Sequence, residues 1–249
     1  MQHILDEATH LLADWIRGER VGKCVDVEES QRSLAGVIDH TLLKADAVEE
    51  DIRRICREGL EYGFASVCVN PVWVPLCADL LAGSAVRVCT VIGFPLGAVS
   101  PSTKIQQASR ALEDGACEFD MVMLIGHLKS GRLEAVLDDI RGVVGTVKSS
   151  APASCVKVIV ETCFLDTREK ILAVLLAREA GADFVKTSTG FGPEGAVEGD
   201  VALLRFVAGD AIRVKASGGI RTRQEALRML EAGADRIGTS SGVSIVRLA

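Results

Sequence analysis

Two lysines occupy matching places in two apolar runs. Lys186 closes Asp183-Phe184-Val185 and is followed by Thr187-Ser188-Thr189-Gly190; Lys215 closes Ile212-Arg213-Val214 and is followed by Ala216-Ser217-Gly218-Gly219. A carboxylate, Asp120, lies inside a third apolar run, CEFDMVML. Amines and a carboxylate in dry surroundings suit carbonyl chemistry. A neutral lysine attacks a carbonyl to give a Schiff base, and a nearby carboxylate moves protons directly or through water. The plainer alternatives are a strand-end lysine that snorkels to solvent and an aspartate satisfied in a buried ion pair.

These residues need elements that bring them together, and an internal echo supplies them. LEDGACEFDMV (112–122), REAGADFVKTS (178–188) and LEAGADRIGTS (230–240) share one plan, with a weaker copy in LEYGFASVCVN (60–70). Each reads as an amphipathic helix, a glycine turn and a buried strand; glycine suits the left-handed position that ends a helix. Repeated α-then-β units imply parallel strands covered by helices. Strands are expected near 35–39, 64–69, 86–92, 117–124, 155–161, 183–187, 212–216 and 235–239, with helices between them and a short one from about 241. Eight such pairs favour an α/β fold of the (β/α)8 TIM-barrel type over an open doubly wound sheet. No GxGxxG follows the first strand, which weakens dinucleotide binding. The expected organisation is an N-terminal helical arm over 1–33 and a barrel over 34–249.

In such a barrel the active residues sit at the C-terminal strand ends and on the following loops. Lys186 and Lys215 then end neighbouring strands 6 and 7, Asp120 lies in strand 4 and Asp39 ends strand 1. Lys157, near the start of strand 5, fails this filter and reads as structural or solvated. Adjacent strands lie about 4.8 Å apart, so two inward ammonium groups roughly 5 Å apart would repel by about 3 kcal/mol at an effective dielectric near 20. That repulsion and burial favour a neutral, nucleophilic amine.

The loops after strands 7 and 8 carry Ser217-Gly218-Gly219 and Gly238-Thr239-Ser240-Ser241-Gly242. Barrels often bind phosphate there, though glycine-rich turns are common, and Thr189-Gly190 extends the same rim. His40 reads as more structural than functional. No residues have metal-ligand spacing, so no metal and no cofactor are expected.

Composition sets outer limits. The chain has 249 residues, 48% of them hydrophobic, with only 4% aromatic, so the core is aliphatic. A net charge of −6 argues against a nucleic-acid or anionic-membrane binder. The eight cysteines form no CxxC and read as buried free thiols in a reducing cytosol. No run is long enough to span a membrane, and the acidic residues Asp6, Glu7 and Asp14 are unlike a signal peptide. Ile4, Ala8, Leu11 and Trp15 instead have the spacing of an amphipathic helix. An interface role is the preferred reading of that arm.

The motifs IDHTLLK (38–44), SVCVNPVWV (66–74), VIGFPLGA (91–98), FDMVMLIGHLKSG (119–131), VIVETCFL (158–165), DFVKTSTGFGPEGA (183–196), VKASGGIRT (214–222) and GADRIGTSSG (233–242) together resemble the deoxyribose-phosphate aldolase family. The resemblance runs from about Ile38 to Ile245. It implies a class I aldolase in which Lys186 forms the Schiff base, Lys215 perturbs it and Asp120 assists proton transfer. It further implies a phosphate site at Thr189, Gly190, Gly218, Gly219, Gly238, Ser240 and Ser241, with Asp39 and Thr41 lining the sugar pocket. The implied ligand is a phosphosugar, and the implied setting is a cytoplasmic homo-oligomer, dimer or tetramer. Two departures stand out. Phe191 follows the STG turn, where some members carry a lysine. The only tyrosine is Tyr62, whereas some members end in one. The competing readings are a phosphosugar barrel of another reaction type and a non-catalytic binding protein.

Overall fold

A computed structural model describes residues 1–18 and 34–247. Eight parallel strands close into a barrel in sequence order. They are β1 (Ile38–Leu42), β2 (Ser66–Val69), β3 (Arg87–Ile92), β4 (Glu118–Val122), β5 (Cys155–Ile159), β6 (Phe184–Lys186), β7 (Arg213–Ser217) and β8 (Arg236–Thr239). Around and between them run α1 (Gln2–Arg17), α2 (Glu49–Tyr62), α3 (Val74–Leu80), α4 (Pro101–Glu113), α5 (Ile125–Lys129), α6 (Leu133–Ser150), α7 (Thr167–Glu179), α8 (Glu198–Ala208), α9 (Arg223–Glu231) and α10 (Gly242–Val246). The barrel expectation therefore holds, with one helix, α5, that the sequence reading did not separate from the loop after β4.

The echo is visible in the backbone. Gly63, Gly115, Gly181 and Gly233 follow four of the helices with φ of 65°, 101°, 79° and 109°, a region costly for any residue with a Cβ. Each turn delivers the chain directly into a strand buried on both faces. Strands β2 and β4 are buried at every position, which explains their near-continuous apolar runs.

The first strand differs from its expected place. Residues Leu34–Val37 form a 3-10 turn, and the strand begins at Ile38. Asp39 is therefore the second residue of β1, opposite Ser66 and Gly238, and not its last. This shift sinks its side chain into the barrel interior.

Helix α7 explains the N-terminal arm. Its stretch Ile171–Ala177 is buried throughout, apolar on every side, and such a helix must be covered on its outer face as well. Helix α1 covers it, burying Ile4 and Ala8. Arg178 Nη2 bonds Glu7 Oε2 at 2.6 Å, and Trp15 packs its ring 5.5 Å from that of Phe206 on α8. The apolar face expected to meet another subunit is thus used within the chain. Residues 19–33 of the expected arm lie outside the described residues, as does Cys24; the other seven cysteines are free thiols.

Candidate active site

The barrel interior holds a charge cluster built from consecutive strands, β4 round to β1. Lys186 and Lys215 are register partners on β6 and β7. Both point inward, and both donate to the same oxygen, Asp120 Oδ2, at 2.7 Å. Lys215 Nζ also lies 2.5 Å from Asp39 Oδ2. Asp120 Oδ1 accepts from Lys157 Nζ at 2.8 Å and from the Cys89 thiol at 3.3 Å. Lys157 continues to Glu118 Oε2 at 2.7 Å. Asp39 Oδ1 accepts from Arg236 Nη1 at 2.6 Å and Ser66 Oγ at 2.7 Å.

Lys157 is therefore not solvated. It is fully buried and pairs with the aspartate proposed for chemistry. Of the two readings, structural or solvated, burial selects the first, and its place in the middle of β5 is why the strand-end filter sets it aside. Yet barrel interiors are packed at every level, so its inward position, register partner of Asp120, was the signal that mattered. Glu118 and Arg236 were missed for the same reason: each is the first residue of its strand.

The electrostatics differ from simple repulsion between ammonium groups. Burial alone lowers the Lys215 pKa, but Asp120 and Asp39 outweigh it and hold the ammonium form well above the usual lysine range. Burial alone raises the Asp120 pKa, but Lys157, Lys186 and Lys215 outweigh it and keep the carboxylate ionised. Asp39 is likewise held ionised against burial, by Lys215, Lys157 and Arg236. Four cations thus meet three carboxylates in the interior. Lys215 touches two of those carboxylates and Lys157 three, whereas Lys186 touches only Asp120, which it shares.

Above the cluster opens a cavity of about 270 Å³. Of the three clustered lysines only Lys186 lines it. The walls bring together Thr41, Thr189, Gly190, Gly218, Gly219, Gly238 and Ser240, as the sequence reading expects. Two of its residues stand elsewhere. Asp39 lies below the cavity wall, bonded to Lys215 and Arg236, because of the shift in β1. Ser241 precedes α10, and its amide donates to Thr239 Oγ1 at 2.9 Å. Gly238 has a further use: a Cβ there would lie 2.9 Å from Lys215 Cε, so glycine makes room for that side chain.

The rim is tied together by its own polar groups. Ser217 Oγ donates to Ser188 O at 2.6 Å, and Ala196 N donates to Gly218 O at 3.0 Å. Gly218, at φ 87°, sits so close that a Cβ would meet Gly195 Cα at 3.0 Å. Glu161, unusual in a left-handed conformation (φ 55°), accepts from the amide and hydroxyl of Thr189. Glu161 lies in the motif VIVETCFL, closing the run VIVE, but the sequence alone assigns it no role.

Phe191 forms an edge-to-face pair with Phe94, centroids 5.3 Å apart, on the same wall. Its lack of charge is offset by two side chains that were not anticipated, Lys44 and Arg221, which line the cavity with no carboxylate in ion-pair reach among the described residues. Tyr62 accepts from Arg247 Nε at 2.7 Å and stacks on Phe64, so it belongs to α2 packing and not to the cavity. His40 is also structural: buried, it bonds Glu58 Oε2 at 2.7 Å and packs on Phe64.

Cys68, Cys89 and Asp120 place one ligand atom each within 4.8 Å of one another, a grouping no sequence spacing signalled. The chemistry of the surroundings opposes a cation there, since three ammonium groups already hold Asp120. A wider depression of about 650 Å³ lies where the start of α1 meets α5–α7, beside Leu5, Arg132 and Leu172, lined by none of the three clustered lysines. Among the described residues no helix is long and apolar enough to cross a membrane.

Comparison with known proteins agrees with this geometry. The deoxyribose-phosphate aldolase of Carboxydothermus hydrogenoformans is 56% identical over 218 residues, 88% of this chain and 96% of that protein. The enzyme of the same name from Geobacillus sp. (strain WCH70) is 56% identical over 216 residues, 87% and 96% of the two chains. The solved structure of deoxyribose phosphate aldolase from Aeropyrum pernix, described as a unique tetramer, superimposes with a TM-score of 0.81 at 38% identity, covering 99% of this chain and 96% of that one. Residues 34–248 match the family described as DeoC/LacD family aldolase. The chain belongs to the DeoC/LacD aldolase family.

Proposed function

We propose that this chain is a lyase that reversibly cleaves 2-deoxy-D-ribose 5-phosphate to acetaldehyde and D-glyceraldehyde 3-phosphate. The observation that carries the reading is the position of Lys186: the one clustered lysine on the cavity wall, with its Nζ on the carboxylate it shares with Lys215.

The reaction needs a neutral amine. The cluster holds one more positive than negative charge, so releasing one proton balances it. The Lys186 amine adds to the C1 aldehyde, and the adduct takes back one proton and loses water to give an iminium. The C3 hydroxyl then gives up its proton, the C2–C3 bond breaks, and its electron pair moves into the iminium. This releases glyceraldehyde 3-phosphate and leaves an enamine on Lys186. Protonation at C2 and hydrolysis free acetaldehyde and restore the lysine. Asp120 is the proton-handling carboxylate, directly or through water. Lys215 stays charged and holds Asp120 ionised. The iminium is the electron sink.

Gly190, Gly218, Gly219, Gly238 and Ser240 offer a polar rim for the substrate phosphate, with Thr189, Thr41 and Ser241 close to it. Lys44 and Arg221 supply positive charge to the cavity lining, to which Phe191 brings none. Asp39 acts from beneath by fixing Lys215. The tetrameric Aeropyrum pernix relative supports a homo-oligomer, and the substrate suggests deoxyribonucleotide breakdown in the cytoplasm. The direct test is turnover of 2-deoxy-D-ribose 5-phosphate by the full chain and by Lys186→Ala. Acetaldehyde release by the first and none by the second is expected; equal release by both would refute the role of Lys186.

A further inference from the structure

The opposite end of the barrel carries its own charge pattern. Arg87, Arg213 and Arg236 are each the first residue of their strand, β3, β7 and β8. With Lys148, Glu118 and Asp183 they line a depression of about 400 Å³ at the N-terminal mouth. Strands 3 and 7 of eight face each other across the barrel, so Arg87 and Arg213 frame the mouth from opposite sides.

The acids there are already engaged. Asp183 Oδ2 is 2.8 Å from Lys148 Nζ, and Glu118 Oε2 is 2.7 Å from Lys157 Nζ, inside the barrel. Arg87 and Arg213 have no carboxylate within ion-pair distance among the described residues. Arg213 is nonetheless held in place: its guanidinium lies 4.0 Å from the Phe184 ring centroid, with Arg236 at 5.6 Å from the same ring. Among the described residues, a chain of net charge −6 thus keeps an unneutralised, partly immobilised cationic opening. Guanidinium groups match phosphate oxygens in shape and charge, and pre-ordering them reduces the entropy lost on binding.

We propose that this mouth binds a small phosphate-monoester dianion, a site separate from the cavity above Lys186. Arg236 links the two ends, since the same residue bonds Asp39, and Asp39 bonds Lys215. An anion at the mouth adds negative potential beneath the cluster. That favours the charged amines and moves the acidic limb of the kcat profile to higher pH.

Calorimetric titration of the full chain with inorganic phosphate tests the site. Arg87→Gln/Arg213→Gln should lose one class of phosphate binding, weakened by at least about tenfold, and should keep any binding that Lys44→Gln/Arg221→Gln removes. Arg87→Lys/Arg213→Lys should recover part of the loss, which separates charge from folding. An Arg87→Gln/Arg213→Gln isotherm that superimposes on wild type would overturn the site. At saturating substrate, phosphate should shift the acidic limb of kcat in the wild type only; an equal shift in both proteins would overturn the link through Arg236. The binding readout does not depend on aldolase activity, so its failure is distinguishable from failure of that reading.

Discussion

Lys186 and Lys215 are register partners on adjacent strands, and both end on one atom, Asp120 Oδ2, at 2.7 Å. Two like charges are thereby joined through a shared anion. The contact between the two lysines runs through the carboxylate they share.

Removing that anion has two consequences. Asp120→Asn should lower kcat/KM by on the order of 10²–10⁴-fold, the usual worth of a positioned proton-transfer group. It also leaves three buried ammonium groups facing an amide, so the melting temperature should fall. Steady-state kinetics and thermal unfolding on one sample check both; activity within a few-fold of wild type would exclude Asp120 from chemistry.

Lys157 separates positioning from catalysis. Lys157→Met strips a fully buried cation from Glu118 and Asp120, and breaking a buried pair costs about 3–5 kcal/mol. The double variant Lys157→Met/Glu118→Gln should recover part of that loss in urea unfolding. Both should still form the Lys186 adduct; a variant that folds but forms none would give Lys157 a catalytic role.

The rim cations bear on affinity. Lys44→Gln/Arg221→Gln should raise KM for 2-deoxy-D-ribose 5-phosphate by roughly tenfold or more, from the loss of charged contacts. Its effect on unphosphorylated 2-deoxy-D-ribose should be small. Equal effects on both substrates would remove these residues from phosphate binding.

His40 makes stability depend on pH. Burial pushes its pKa below the usual imidazole value, against the raising effect of Glu58. The unfolded chain then binds the proton more readily than the folded one. Stability from this group is complete above the unfolded value of about 6.5 and falls as pH drops from there toward the folded pKa. His40→Gln should flatten urea midpoints between about pH 7 and 5; an unchanged slope would contradict the assignment.

Much of this molecule could be read from sequence because barrel units repeat. The glycine turns at 63, 115, 181 and 233 recur with positive φ, and strand patterning placed Lys186, Lys215 and Asp120 on facing walls. The difficulty lay in depth. Asp39 was expected at the rim and lies within the interior, because Leu34–Val37 form a turn and delay the strand. Glu118 and Arg236 go unmarked, and Lys157 reads only as structural or solvated, because a rule about strand ends says nothing of the layers below. Lys44 and Arg221 come from separate loops and meet at one cavity only through closure of the barrel. The cover that α1 provides for α7 needed the tertiary contact, since an amphipathic arm fits an internal or an external partner equally well.

In the proposed reaction Lys186 is the amine that bonds the substrate carbonyl. Incubation of the full chain with acetaldehyde and sodium borohydride, then peptide mass mapping, tests it most directly. The account predicts one reduced ethyl adduct, on Lys186, absent from Lys186→Ala while Lys157 and Lys215 stay unmodified. An adduct on Lys157 or Lys215, or none at all in an active preparation, would contradict it.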